Sequence, residues 1–163
     1  MKKLFVAVLV MLMFVGLSGC GSDSTEKTKK EVKTEFQIGE TATYEKVDYT
    51  VTQVAMSEGS EYNKPEDGKV FVIVSLKIVN NSDGKIDYNP FNWKVVNSQG
   101  QEDDYSITGS LQTEHSLDSG SLIGGGSVEG DVVFEEPIDG TLKLNFYNTV
   151  FDSNYVFDFV IRA

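Results

Sequence analysis

Acidic side chains are the first residues in this chain that could do chemistry. The densest acidic run is Glu102-Asp103-Asp104, and a second acidic stretch lies between residues 61 and 67. Calcium takes roughly 6–8 oxygen ligands, so two such segments could form an oxygen cage. Neighbouring residues of a strand point to opposite faces, however, and solvated surface acids account for the same run. We therefore predict no metal site and keep Glu102, Asp103 and Asp104 as the weak calcium candidates.

His115 is the only histidine, and Ser116, Asp118 and Ser119 follow it closely. A Ser-His-Asp triad is assembled from residues that are distant in sequence and held by a framework. One histidine and one cysteine are too few for a typical zinc site. The sequence therefore predicts no catalytic residue, no enzyme activity and no cofactor.

Cys20 is the only cysteine, and it ends an N-terminal segment of distinctive composition. Lys2 and Lys3 precede an apolar run from residue 4 to residue 15, and small residues follow. This order is typical of a secretory signal, and the run is too short to span a bilayer core of about 30 Å. A single cysteine also rules out a disulfide within the chain.

The stretch Leu17-Ser18-Gly19-Cys20 resembles the lipobox of bacterial lipoproteins. The resemblance implies cleavage before Cys20, a diacylglyceryl lipid on its sulfur, and a domain held at the outer face of the cell membrane. Two acyl chains give stable anchoring, whereas one chain gives only marginal binding. The predicted organisation is a signal peptide at 1–19, a lipidated cysteine and disordered tether at 20–35, and a domain at 36–163.

The domain is strongly acidic. Residues 36–163 carry 8 basic and 21 acidic side chains, which gives a net charge of −13. Phosphate backbones and anionic lipid heads would repel it, so nucleic acid is not an expected partner and only the lipid would hold it to the membrane.

Alternating apolar residues dominate the domain and predict strands. The strongest pattern runs from Lys69 to Val79, where both faces are apolar, which is typical of a central strand. Further strands are predicted at 41–44, 47–56, 91–96, 102–105, 128–135, 142–146 and 155–161. Asp83-Gly84 indicates a hairpin turn. Seven or so strands at short intervals predict an all-β, immunoglobulin-like antiparallel β-sandwich, with Trp93 as a candidate core residue.

Three stretches carry a family resemblance: the long strand ending in Asn80-Asn81, the Tyr88-x-Pro90 step, and the turn and strand from Gly126 to Gly130. The domain resembles a widespread Ig-like domain of bacterial surface lipoproteins, the domain of unknown function four-three-five-two. The resemblance also implies a fold similar to that of a secreted mycobacterial immunoprotective antigen. The family more often has a Pro-Gly pair before that last strand, whereas this chain has Gly124-Gly125-Gly126.

Aromatic residues next to turns are the candidates for a binding surface, because aromatic side chains are enriched in interface cores. Tyr62, Tyr147 and Phe151 are predicted as the interface anchors. The predicted function is that of a monomeric, non-catalytic binding or accessory module at the cell surface, with a surface protein or an envelope component as its partner. A solute-binding or calcium-binding lipoprotein is the alternative.

Overall fold

A computed structural model describes residues 32–163, and the predicted signal peptide, Cys20 and most of the predicted tether lie outside them. Eleven strands are present in this part of the chain. They are β1 (Glu35–Gln37), β2 (Thr41–Tyr44), β3 (Val47–Ser57), β4 (Lys69–Asn80), β5 (Ile86–Tyr88), β6 (Trp93–Asn97), β7 (Glu102–Asp104), β8 (Gly120–Leu122), β9 (Ser127–Pro137), β10 (Leu142–Phe146) and β11 (Phe157–Arg162). Two short 3₁₀ helices, Pro90–Asn92 and Gly109–Gln112, are the helices of residues 32–163, and neither is long or apolar enough to cross a membrane.

Two sheets face each other across one core. The four-stranded sheet has the order β2-β3-β4-β9, and the five-stranded sheet has the order β1-β11-β10-β6-β7. Strands β5 and β8 form a small third sheet. All pairings between strands are antiparallel except that of β1, which runs parallel to β11. The predicted all-β sandwich is confirmed.

The long strands form because their alternating residues fill the space between the sheets. Every second residue of β4, from Val70 to Ile78, is buried, and so are Val132 and Phe134 of β9. Trp93, Val95, Leu144 and Phe159 fill the core from the other sheet. Trp93 is only 1% exposed, so its predicted place in the core is confirmed.

The outer face of β4 and β9 is also covered. Phe71 and Val133 are buried on that face. The 3₁₀ helix Gly109–Gln112 lies over it, with Gly109 so close that an added Cβ would stand 2.9 Å from a Val133 methyl carbon. This cover explains why both faces of β4 are apolar.

Strand β1 determines where the described chain enters the sandwich. Glu35 of β1 pairs with Asp158, and the Asp158 N–H donates to the Thr34 carbonyl at 2.8 Å. The neighbouring residue Phe157 pairs with Phe146, which pairs in turn with Trp93. The chain therefore enters at the end of the sandwich where β6 begins. Glu35 was predicted in the tether but belongs to β1.

Three local predictions are wrong. Phe91 lies in a 3₁₀ helix rather than a strand, because Asn89 caps that helix and Pro90 starts it. Asp83-Gly84 does not form a hairpin, since β4 pairs with β3 and β9 while the following β5 pairs with β8. Strand β11 begins at Phe157, which leaves Tyr155 outside it.

Candidate functional site

A cleft of about 230 Å³ opens at the end of the sandwich where β6 begins. The β2–β3 turn forms one wall and strand β5 forms another, while β6 and β10 supply the floor. Tyr44 and Tyr88 are half-buried in the walls. A shallower hollow of about 340 Å³ adjoins the cleft and shares Tyr88 and Asn89 with it. We refer to the first of these as the end cleft.

The floor of the end cleft is a packed aromatic cluster. The ring of Tyr49 lies 4.5 Å from that of Phe146 and 5.9 Å from that of Trp93, measured between centroids. All three residues are buried, although Tyr49 still borders the cleft. Offset and tilted aromatic pairs at these separations are mutually stabilising. The floor is therefore a rigid, largely apolar surface.

The rim of the end cleft is polar. Asn89 accepts a hydrogen bond from the Phe91 N–H at 2.9 Å, which fixes its side chain at the start of the 3₁₀ helix. The Asn92 side-chain amide donates to the carbonyls of Tyr147 and Asn148 at 2.7 and 3.0 Å. Each amide uses one end to hold its loop in place. Both residues line the end cleft, so its rim offers amide groups for hydrogen bonding.

The β2–β3 turn beside the cleft is strained. Tyr44 pairs with Val47, so Glu45 and Lys46 form a two-residue loop, and their φ angles are +49° and +65°. Such a loop requires positive φ at both positions and favours Asn-Gly. Glu and Lys carry a Cβ that disfavours positive φ, so this turn is less stable than an Asn-Gly turn would be. Here it holds the Glu45 side chain at the mouth of the cleft.

The Glu45 carboxylate acts on the tyrosines of the cleft. The pKa of Tyr49 is raised to about 12, first by burial and then by the negative charge of Glu45. Burial and the Glu45 charge also raise the pKa of Tyr44, and the Asp152 charge adds to this effect. Both tyrosines are therefore neutral hydroxyl groups at physiological pH.

Replacing Lys46 should reveal the strain in this turn. We expect Lys46→Gly to increase the free energy of unfolding by about 0.5–1 kcal/mol, because glycine adopts positive φ without a Cβ clash. Urea denaturation measures the change. Lys46→Ala is the matched control, since it removes the side chain but keeps the strain. An equal gain in both variants would show that the lysine side chain, rather than the backbone, is responsible.

Of the predicted interface residues, two are exposed and one is not. Tyr62 and Phe151 are 93% and 94% exposed. Tyr147 is only 5% exposed, so its prediction as a surface anchor is wrong. Its hydroxyl donates to Glu102, and its ring lies 5.5 Å from the Lys94 ammonium group, which keeps the side chain against the sheet.

The predicted calcium candidates are not brought together. Glu102 and Asp104 lie on one face of β7 and both pair with Lys94, at 3.3 and 3.1 Å, while Asp103 points to the opposite face. Glu66, from the other acidic stretch, pairs with Lys69 at 2.8 Å. Within residues 32–163, no group of three or more His, Cys, Asp or Glu side chains is placed to hold a metal ion.

His115 lies exposed in a loop outside the end cleft. The backbone carbonyl of His115 accepts a hydrogen bond from the N–H of Asp131, a residue of β9. The Ser116 side chain, next in sequence, is hydrogen-bonded to the Tyr105 hydroxyl at 3.0 Å.

Comparison with known proteins places these features in a family. Residues 36–156 match the profile of the Domain of unknown function (DUF4352). This chain belongs to the DUF4352 family. A search of curated protein sequences finds no match.

Three crystal structures share the DUF4352 fold seen here. The yjhA protein from Bacillus subtilis is 21% identical, with a TM-score of 0.54 over 73% of this chain and 85% of that one. A candidate lipoprotein of the same species, ycdA, is 14% identical, with a TM-score of 0.57 over 71% of this chain but only 34% of that one. A conserved hypothetical protein from Bacillus anthracis is 18% identical, with a TM-score of 0.51 over 70% and 92% of the two chains.

Sequence reasoning missed the end cleft as a site. It chose Tyr62, Tyr147 and Phe151 as anchors and did not consider Asn89 or Asn92. One signal was present, because the Tyr88-x-Pro90 step that carried the family resemblance lies in the cleft wall and at the start of the 3₁₀ helix.

Proposed function

We propose that this chain is a lipid-anchored extracytoplasmic binding module and that the end cleft is its binding site. The observation that carries the proposal is the combination of a rigid aromatic floor, a polar rim and a strained turn at one end of the sandwich. Ligand sites are typically concave and mostly apolar, with a few well-placed polar groups. The lipobox at Cys20 supports the location at the outer face of the cell membrane.

The volume of the cleft indicates the size of what binds there. At about 230 Å³ it is smaller than the roughly 300–1,000 Å³ typical of pockets for drug-sized ligands. A small molecule, or one protruding group of an envelope component or surface protein, would fit. We assign the module no catalytic role, because its functional groups are suited to holding a ligand and His115 lies elsewhere.

Binding at the end cleft is tested by the thermal midpoint of the full chain, purified in detergent, with soluble envelope fragments. A ligand at 100 times its dissociation constant stabilises by about 2.7 kcal/mol. For a domain of this size the midpoint should rise by roughly 8–14 °C. Tyr88→Ala should abolish the rise, whereas Tyr62→Ala, at an exposed position outside the cleft, should keep it. The opposite result would assign binding to the exposed surface around Tyr62.

Anchoring through Cys20 is a separate prediction. We expect Cys20→Ser to remove the acyl mass and the incorporation of labelled fatty acid, since the thioether needs the cysteine sulfur. Mass spectrometry and phase separation in detergent measure both effects. Ser24→Ala, in the predicted tether, is the control and should remain lipidated. A Cys20→Ser chain that still carries acyl mass would refute the anchor.

A further inference from the structure

We propose that the end cleft binds a small organic cation, an ammonium group carried on a compact apolar body. This proposal rests on the proposed function, because it requires the cleft to be the binding site. It adds the chemical class of the ligand.

Charge is the first argument. Glu45 lies at the mouth of the end cleft. Asp87 also borders the cleft, but its carboxylate lies on the opposite face of β5 from Tyr88 and is mostly exposed. Among residues 32–163, no lysine or arginine lines the cleft or the adjoining hollow. The mouth of the cleft is therefore negative, which favours cations over anions.

The Glu45 carboxylate has no basic partner among the described residues that line the cleft. Its charge instead acts on the hydroxyls of Tyr44 and Tyr49, which are neutral. The Asp87 carboxylate accepts a hydrogen bond at 2.6 Å from the hydroxyl of Ser121, which does not line the cleft. The surrounding domain, at −13, strengthens the same field.

Aromatic side chains supply the second argument. Tyr44, Tyr49 and Tyr88 border one small space. The faces of aromatic rings attract organic cations, and such aromatic cages recognise quaternary ammonium groups. Tyr88 is held by its packing over Gly120, where an added Cβ would stand 2.4 Å from the Tyr88 hydroxyl oxygen. This wall of the cage is therefore fixed before a ligand arrives.

Two other ligand classes fit less well. A calcium ion requires roughly 6–8 oxygen ligands, whereas the cleft offers one carboxylate, that of Glu45, beside tyrosine rings. A neutral sugar could use Asn89 and Asn92 but would gain nothing from the charge of Glu45. An organic cation uses both the Glu45 carboxylate and the aromatic walls.

Two probes of the same shape isolate the charge. Choline carries a quaternary nitrogen where 3,3-dimethyl-1-butanol carries a neutral carbon. We expect the full chain in detergent to bind choline at least tenfold more tightly than the alcohol in calorimetric titrations at low salt. Glu45→Gln should weaken choline binding by about fivefold and leave the alcohol unchanged, whereas Asp87→Asn should have little effect on either. Glu58→Gln removes the same charge at an exposed position outside the cleft and should have little effect.

The outcomes separate this proposal from the proposed function. Equal affinities for choline and the alcohol, or binding of glucose in place of choline, would overturn the cation proposal and retain the cleft as a binding site. Equal weakening by Glu58→Gln and Glu45→Gln would also overturn it, because a general field rather than the cleft would then be responsible. If none of the probes binds, the cation proposal fails, and a thermal shift with envelope fragments that is lost in Tyr88→Ala would still support the proposed function.

Discussion

Glu136→Gln should make this protein more stable at pH 8 by about 2–3 kcal/mol and leave its stability near pH 4 almost unchanged. Glu136 faces the core from β9 and is 0% exposed. Neither of its carboxyl oxygens has a hydrogen-bond partner within residues 32–163. A buried carboxylate without a partner is costly, and the group keeps its proton instead.

The pKa of Glu136 determines the pH range of the effect. It is raised from 4.5 to about 7, first by burial and next by the nearby charge of Asp103. For an acid with a raised pKa, the folded chain holds a proton that the unfolded chain has released, so stability falls as pH rises from about 4.5 to about 7. At 1.36 kcal/mol per pH unit, the loss is about 3 kcal/mol. Glutamine has no proton to lose and should remove this decline.

Urea denaturation at several pH values measures the prediction. Glu129→Gln is the matched control, because Glu129 lies on the same strand in an exposed pair with Lys77. This control should show no pH-dependent gain. A Glu136→Gln variant whose stability relative to the parent is the same at pH 4 and pH 8 would contradict the account. So would a variant that is destabilised throughout.

Asn80→Ala should cost about 2–4 kcal/mol. Asn80 is fully buried at the end of β4, and its side chain joins three segments. Its amide donates to the Gly84 carbonyl at 2.8 Å and to the Leu122 carbonyl at 3.1 Å. Its side-chain oxygen accepts from the N–H and the hydroxyl of Ser82, at 3.0 and 2.7 Å. Each hydrogen bond contributes roughly 0.5–1.5 kcal/mol, and alanine would leave several of these buried groups unpaired.

The neighbouring residue provides the control for Asn80. Asn81 is exposed and makes one side-chain hydrogen bond, to Asp48 at 2.8 Å. Asn81→Ala should therefore cost less than about 1 kcal/mol. Thermal midpoints measure both variants, and the Asn80→Ala midpoint should fall by roughly 6–20 °C. Similar losses in the two variants would mean that the turn, rather than the buried amide, holds the three segments together.

The long strands could be predicted because burial on one or both faces imposes a regular pattern. The alternation from Val70 to Ile78 predicted the buried face of β4 correctly, and the strands predicted at 91–96 and 102–105 correspond to β6 and β7, which pair with each other. Trp93 was placed in the core on the same grounds. These features could be predicted because they depend only on local sequence and on the two-residue alternation of side chains along a strand.

Other features depend on contacts between segments that are distant in the sequence, and a local sequence pattern does not predict such contacts. The three-residue strands β5 and β8 exist because segments 32–36 residues apart in the sequence pair, from Ile86–Leu122 to Tyr88–Gly120. Tyr147 follows a strand and precedes polar turn residues, which suggested exposure, but Glu102 and Lys94 of neighbouring strands hold it down. The end cleft likewise combines side chains from separate turns and strands.

Glu136 shows a signal that was present and not used. Glu136 lies two residues after Phe134 and four after Val132, so the alternation of β9 already places its side chain on the inward face. A charged side chain is usually exposed, whereas this position in the alternation indicates burial. The structure shows that Glu136 is buried, because a strand paired along its whole length keeps the alternation of its side chains.

The parallel pairing of β1 has a consequence for how an anchored domain would be oriented. The described chain enters at the same end as the cleft, whereas the C-terminal strand β11 runs away from that end. Eleven residues lie between Cys20 and Val32, a reach of at most about 40 Å when fully extended. If the chain is anchored through Cys20, as we propose, the tether joins the domain at the end that carries the cleft. Ligands held at the same membrane surface would then reach the proposed binding site at high effective concentration.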